Sequence, residues 1–433
     1  MKRIVYFLYV LILFTATEGF GLRTNDWGAI GTGNFGLFSI SQFLVVILLG
    51  VSLFYPKGDY GILKTKIGYW FGIFLLLFVV IGVELLFQVS LNMDASLSSF
   101  MNLFEVRYVL CFFVTIIVCH LCGVYQTFKV IFWSALVSAV IALGVVLFDV
   151  PSDTSIKIVM SEGSVVHAYR VLMPTATLIS FGYLYALMSF RQEKKYIYLL
   201  AAFLCFAALL VQLHRSSTFS LLFVTLLFIL VEYKIRVSSI IPTFIMVVVL
   251  FIAANLLFKV IGYSFDTLME VAETTNQGMI EGTDNTASMR FDMIGKAWNY
   301  VVSHYGVLGI GLSWEKLDME NYLFTHFTLR PIFDSGYYNI IIMFGILGSV
   351  VFFIFVFRMF FNMYTIRKDE AKDSYMYKHS SVVMWTLIYV LLISFGGDNF
   401  IVNSAGVCIF YSLVAIAHVL VVDKYNEDVY SED

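Results

Sequence analysis

The chain alternates between apolar blocks of about 20 residues and shorter polar connections. A helix needs about 20 apolar residues to cross the hydrocarbon core of a bilayer, so each block predicts a transmembrane helix. The blocks lie at residues 4–20, 38–55, 67–88, 107–124, 130–148, 171–190, 196–213, 216–233, 240–261, 336–357, 381–396 and 402–421. The pattern predicts an all-α, polytopic integral membrane protein of about twelve transmembrane helices.

One polar interval, residues 262–335, is much longer than the others. Residues 265–273 and 288–303 have helical spacing within it, and Gly306, Gly309 and Gly311 predict a tight bend of the backbone after the second of these helices. The chain therefore divides into four parts. These are helices one to nine (1–261), a large extracytoplasmic loop with short helices (262–335), helices ten to twelve (336–421) and a cytoplasmic tail predicted to be disordered (422–433).

Composition supports a membrane protein and excludes several soluble classes. Hydrophobic residues make up 60% of the chain and charged residues only 13%, with a mean hydropathy of +0.87. Soluble domains are about one quarter charged. The net charge of −3 gives no reason to expect a nucleic-acid partner. All five cysteines lie in apolar blocks, so the sequence predicts neither a disulfide framework nor a metal site.

The positions of the basic residues set the topology. With the N-terminus in the cytoplasm, every inner connection carries lysine or arginine, as the positive-inside rule requires. The predicted inner connections are residues 56–66, 125–129, 191–195, 234–239, 358–380 and 422–433. Fusing residues 196–233 into one helix would place the later lysines outside, so two separate helices are predicted there.

Five arginines fall on the outer side, against this charge rule. They are Arg107, Arg170, Arg215, Arg290 and Arg330. An ion at membrane depth is a functional hypothesis by default, although any single arginine can simply bind a lipid headgroup. Guanidinium groups pair with phosphate oxygens in a bidentate manner, so a set of them suits a lipid-linked pyrophosphate.

Histidines on the same side supply a candidate general base. His167, His214, His304 and His326 lie there, and imidazole can accept a proton from a sugar hydroxyl near neutral pH. His326 is the predicted base. The alternatives for the base, or for a group that orients it, are Asp284, Asp292, Glu315 and Asp334.

Four segments resemble the O-antigen ligase and polymerase superfamily of bacterial envelope glycan assembly. They are residues 168–181, 213–220, 288–313 and 334–348, which contain Arg170, the LHRSSTFS turn, Arg290 with its glycine turn, and the helix after the loop. The resemblance implies that Arg215 and Arg290 bind phosphate and that His326 is catalytic. It also makes Arg170 a plausible phosphate-binding residue. Arg170, Arg330, Tyr337 and His214 are predicted to bind substrate, and a direct displacement would need no metal or other cofactor.

The resemblance implies a surface-polysaccharide (O-antigen) polymerase in the bacterial inner membrane, with its active site facing the periplasm. Such an enzyme joins oligosaccharide units carried on undecaprenyl pyrophosphate by an inverting transfer. The membrane lipid, a chain-length regulator and a flippase are the expected partners. Two alternatives stay open: a ligase that transfers glycan to lipid A–core, and, in another class, a flippase or transporter of lipid-linked glycan. The acidic loop argues against docking a phosphorylated core, and the unmatched halves argue against a transporter.

Overall fold

A computed structural model describes the main helical segments. The described residues are 2–17, 20, 34–35, 38–39, 44, 47–48, 50, 65–90, 106–147, 156–159, 165–168, 175–211, 215–233, 299, 303, 307–309, 311, 336–395, 400 and 404–431. The predicted helix at 240–261 and most of the predicted loop at 262–335 lie outside them.

The described chain is predominantly α-helical. Its helices are α1 (Lys2–Ala16), α2 (Lys66–Ser90), α3 (Cys111–Cys122), α4 (Val124–Leu147), α5 (Ala176–Glu193), α6 (Tyr196–Val211), α7 (Arg215–Glu232), α8 (Gly336–Asp369), α9 (Tyr375–Ile393) and α10 (Ser404–Ser431), with a 3-10 helix at Val106–Leu110 before α3. Two antiparallel hairpins, β1 (Asn34–Phe35) with β2 (Phe38–Ser39) and β3 (Ile156–Val159) with β4 (Val165–Ala168), are additions to the predicted all-α fold.

Length and composition identify a multi-pass membrane protein. Among the described helices, 5 are long and apolar enough to cross a membrane, namely those containing Lys66–Glu84, Val124–Val145, Gly336–Asp369, Tyr375–Ile393 and Gly406–Asn426. Three shorter apolar helices accompany them, at Tyr108–Cys122, Tyr196–Val211 and Ser217–Glu232. The helical membrane fold is confirmed at this level, and the number twelve stays a prediction.

Several predicted helix boundaries are wrong, because hydropathy detects the apolar part of a helix and not its polar ends. The predicted connection 125–129 belongs to α4, and only Gly123, at φ +93°, separates α4 from α3. The α8 helix continues to Asp369, so the inner connection shortens to 370–374. The tail predicted to be disordered is helical as far as Ser431.

The α6 and α7 helices form an antiparallel pair, as the charge rule predicted. The end of α7 lies beside the end of α5, because Glu232 forms an ion pair with Arg191. The start of α6 lies at that same end, since Lys195, directly before α6, pairs with Glu193 at 2.9 Å. A single fused helix over 196–233 is therefore excluded.

Aromatic side chains fill the core between α2, α3, α8 and α10. The ring of Phe71 in α2 lies 4.0 Å from that of Phe112 in α3 and 5.7 Å from that of Phe355 in α8. Phe74, one turn further along α2, packs 5.1 Å from Phe344. Burying such rings contributes most of the packing energy available inside a bundle. These contacts hold α2 against α8.

The contacts between helix ends fall into two groups. The basic end, defined by Arg191, Glu232, Arg367 and Lys424, holds ion pairs, including Lys424 with Glu370 at 2.8 Å. The outer end, defined by the starts of α7 and α8 and the end of α9, is held by hydroxyl and backbone hydrogen bonds. The positive-inside rule assigns the basic end to the cytoplasm.

A buried carboxylate organises the basic end. The side chain of Glu232 is 0% exposed, and its two oxygens lie 2.9 Å from Arg191 Nη1 and 2.8 Å from Arg367 Nη2. The Tyr377 hydroxyl and the Trp385 indole N–H donate to the same carboxylate at 2.8 and 2.9 Å. Glu232 therefore joins α7 to α5, α8 and α9.

Glu232→Ala should destabilise the protein severely, because it leaves two arginines without their counter-charge in a buried site. Removing one partner of a buried ion pair costs about 3–5 kcal/mol. The measurement is the unfolding temperature of purified protein in detergent. Lys195→Ala is the control, since its exposed ion pair with Glu193 should leave that temperature unchanged. Equal melting of Glu232→Ala and wild type would contradict the organising role of Glu232.

Candidate functional site

The last turn of α9 connects the elements of the outer end. The hydroxyls of Ser217 in α7 and Tyr389 in α9 lie 2.7 Å apart. Two residues further on, the Leu391 carbonyl accepts a hydrogen bond of 2.6 Å from the Tyr337 hydroxyl at the start of α8. The Gly336 N–H donates to the Ser394 carbonyl at 2.9 Å. The starts of α7 and α8 are thus fixed on one turn of α9.

Arg215, the arginine predicted to bind phosphate, occupies the first position of α7. The structure describes its backbone but not its side chain. It precedes by two residues the serine that is bonded to Tyr389. The first turn of a helix presents unpaired N–H groups and the positive end of the helix dipole, which favour an anion. The backbone position of Arg215 therefore suits the predicted role.

Tyr337 is the predicted site residue whose side chain the structure describes. Its ring packs 4.5 Å from Phe395 and 5.4 Å from Phe400, measured between centroids. Its hydroxyl proton is used in the bond to Leu391, so the oxygen retains only acceptor capacity for a ligand. The contacts give Tyr337 a packing role, while its substrate-binding role stays a prediction.

Helix α8 breaks at Gly345, within its outer half. Gly345 has φ 61° and ψ −160°, a backbone conformation outside the helical region. The glycine turn of the large loop fills this break, because the Gly311 N–H donates to the Met343 carbonyl at 3.0 Å and the Leu347 N–H donates to the Val307 carbonyl at 3.2 Å. These bonds satisfy backbone groups that the break would otherwise leave unpaired at membrane depth.

Glycine is required on both sides of this contact, which we call the glycine junction (Gly309 and Gly345). Gly309 has φ 72°, and an added Cβ would lie 2.5 Å from both Gly345 N and Ile342 O. A Cβ on Gly345 would lie 2.5 Å from Gly309 N. Any side chain at either position would therefore push the two backbones apart. The sequence predicted the bend at Gly309 and Gly311, but not its partner in α8.

Glu84 is a charged residue of the outer end that the sequence reasoning missed. It is half-buried near the end of α2, and its Oε2 would lie 3.9 Å from a Cβ built on Gly311. The signal was available in the sequence, because Glu84 is a carboxylate within an apolar block. Such residues are functional candidates by default.

The remaining predicted site residues lie outside the described residues, so their placement stays a prediction. They are Arg170, His214, Arg290, His326 and Arg330. For Arg107 and His167 the structure describes the backbone alone, in the 3-10 helix and in β4. Within the part of the chain that the structure describes, no group of three or more His, Cys, Asp or Glu side chains could hold a metal ion.

Gly309→Ala and Gly345→Ala should each open the glycine junction. A non-glycine residue in this backbone region costs about 1–3 kcal/mol, and the clash at 2.5 Å adds to that cost. Limited proteolysis of reconstituted protein should then cleave near residues 307–311 faster than in wild type.

Gly72→Ala is the matched control, because a Cβ on this helical glycine of α2 would meet nothing within 4 Å. It should leave the cleavage rate unchanged. Unaltered cleavage in both junction variants would show that the turn is not held by the break.

Comparison with known proteins finds one region that matches a family model. The family model described as O-antigen ligase matches residues 200–353. The match begins in α6, includes α7, the large loop and the glycine junction, and ends within α8. It contains Arg215, Arg290 and His326, whereas Arg170 precedes it. No curated protein matches the chain significantly.

Proposed function

The chain contains a domain of the O-antigen ligase family over residues 200–353, and from this premise we propose that it is a membrane glycan polymerase. Its donor is an oligosaccharide linked to undecaprenyl pyrophosphate. Its acceptor is a second lipid-linked repeat unit. The reaction takes place at the outer end of the bundle, which the charge rule assigns to the periplasm.

The observation that supports this proposal is the position of Arg215 within the matched domain. It stands at the first turn of α7, and Ser217 joins that turn to Tyr389 of α9. The first residues of α8 are bonded to the same part of α9. A donor phosphate at this end would meet a helix N-terminus and an arginine at the depth of the lipid headgroups.

The proposed reaction is a direct displacement. A hydroxyl oxygen of the acceptor sugar attacks the anomeric carbon of the donor, and the bond from that carbon to the pyrophosphate oxygen breaks. His326 accepts the hydroxyl proton, and Arg215 and Arg290 stabilise the negative charge that develops on the leaving pyrophosphate. Attack from the side opposite the leaving group inverts the anomeric carbon.

A ligase is the second candidate, because the matched family model carries that description. A ligase would use the same donor and the same arginines, but would transfer the finished chain to lipid A–core. A flippase is the third candidate and belongs to another class, since it would move the donor across the membrane without breaking a bond.

The test is complementation of a deletion strain, with the glycan chain length resolved on a gel. Arg215→Ala, Arg290→Ala and His326→Ala should each reduce polymer synthesis, since losing one transition-state contact costs about a hundredfold or more in rate. Arg215→Lys should also be impaired, because lysine keeps the positive charge but cannot form the bidentate hydrogen bonds of a guanidinium group with phosphate. Arg358→Ala, an exposed arginine of α8, is the control and should behave as wild type.

The products distinguish the three candidates, provided that each variant is inserted at the wild-type level. A single repeat unit on lipid A–core supports the polymerase. Long chains that remain on the lipid carrier would replace it with the ligase. Accumulation of the donor on the cytoplasmic side would identify a flippase and overturn the catalytic assignment.

A further inference from the structure

We propose that the basic end carries a second anion site, in which Arg191 and Arg367 bind the phosphate of an anionic phospholipid. This site lies at the opposite end of α7 and α8 from the proposed catalytic site. The inference of this lipid site does not rest on the proposed polymerase reaction.

The positive charges of Arg191 and Arg367 are not fully balanced by the carboxylate of Glu232. Two buried guanidinium groups share the single carboxylate of Glu232, which leaves an excess of one positive charge. Both guanidinium groups also lie over the ring of Tyr377, at 5.3 and 5.5 Å from its centroid. The ring face attracts cations but carries no net charge, so it does not neutralise the excess.

Two buried hydrogen-bond donors are also unused. Among the described residues, Arg367 Nε has no hydrogen-bond partner. Arg191 Nη1 lies 2.9 Å from Glu232 Oε2, yet it is not aligned to donate a hydrogen bond. A buried donor without a partner costs about 1–3 kcal/mol, and more when the group is charged. These two N–H groups are enclosed by protein, so an oxyanion would balance the charge from the exposed part of the guanidinium groups.

The depth of the site matches that of lipid headgroups. Glu232 is the last residue of the apolar helix segment Ser217–Glu232, and each arginine side chain keeps 12% of its surface exposed. Tyr233 and Tyr364 flank the cluster along the chain and are 46% and 48% exposed. Exposed tyrosines of this kind mark the boundary between hydrocarbon and water.

The surrounding groups favour a phosphate diester as the ligand. Three lysines close to the arginines in sequence, Lys194, Lys368 and Lys372, are exposed, and so are Asp369 and Asp373. Gln192 donates to the Lys372 and Ser374 carbonyls at 2.9 and 3.2 Å, which holds the 370–374 connection against the end of α5. A phosphatidylglycerol headgroup carries one negative charge on two free phosphate oxygens, which equals the excess at the arginines.

The test is native mass spectrometry of purified protein titrated with phosphatidylglycerol or with phosphatidylcholine. Wild type should retain phosphatidylglycerol in preference to phosphatidylcholine. Arg367→Lys should weaken its binding about tenfold, because lysine keeps a cation near Glu232 but loses the planar guanidinium group that pairs with phosphate in a bidentate manner. Arg358→Lys, an exposed arginine on the same helix, is the matched control and should bind as wild type does.

Three results would overturn the proposal. Equal retention of the two lipids by wild type would exclude an anionic headgroup, and unchanged binding by Arg367→Lys would place the lipid elsewhere. A parallel thermal titration with inorganic phosphate separates the two sources of the anion. Stabilisation by free phosphate equal to that by phosphatidylglycerol would indicate a soluble anion and overturn the lipid assignment. Because Arg367→Lys retains a cation opposite Glu232, its folding is expected to be preserved.

Discussion

The structure depends on the rule that every backbone polar group in hydrocarbon must find a partner within the protein. Continuous helices satisfy this rule by themselves, whereas α8 does not, because its outer half leaves the helical conformation at Gly345. The chain resolves the conflict by inserting residues 307–311 into the break, where Gly311 and Val307 pair with Met343 and Leu347. The same feature that would destabilise a membrane helix therefore attaches the large loop to the bundle.

The two ends of α7 and α8 have different chemistry. At the basic end, Glu232 holds both helices in one ion-pair cluster with Arg191 and Arg367. At the outer end, the same two helices begin beside α9 through Ser217 and Tyr337. A buried ion pair adds little net stability, but it strongly disfavours arrangements that would separate its partners.

Hydropathy and charge predicted much of the fold from the sequence. The apolar blocks identified the helices. The positive-inside rule identified the antiparallel pair α6 and α7, because hydropathy alone does not separate these two adjacent apolar segments. The polar ends of helices were not predictable in this way, so α10 was ended too early. Glu232 was missed because a carboxylate at the end of an apolar block is usually exposed to water. Its burial depends on Arg191 and Arg367, which lie near the ends of α5 and α8 and are distant from it in sequence. Gly345 was missed because glycine is common in membrane helices, and nothing local reveals that a loop pairs with it.

The glycine junction and the start of α8 provide the described residues that flank residues 312–335, the segment that carries His326 and Arg330. Residues 312–335 leave the junction at Gly311 and rejoin the bundle at Gly336, whose N–H is bonded to Ser394. Along α8, the two attachment points are separated by about nine residues, or roughly 13 Å of helix. The described residues on either side of this segment, Gly311 and Gly336, therefore both lie by the outer half of α8. A polymerase and a ligase would share a donor site at the arginines and would differ in the acceptor they admit.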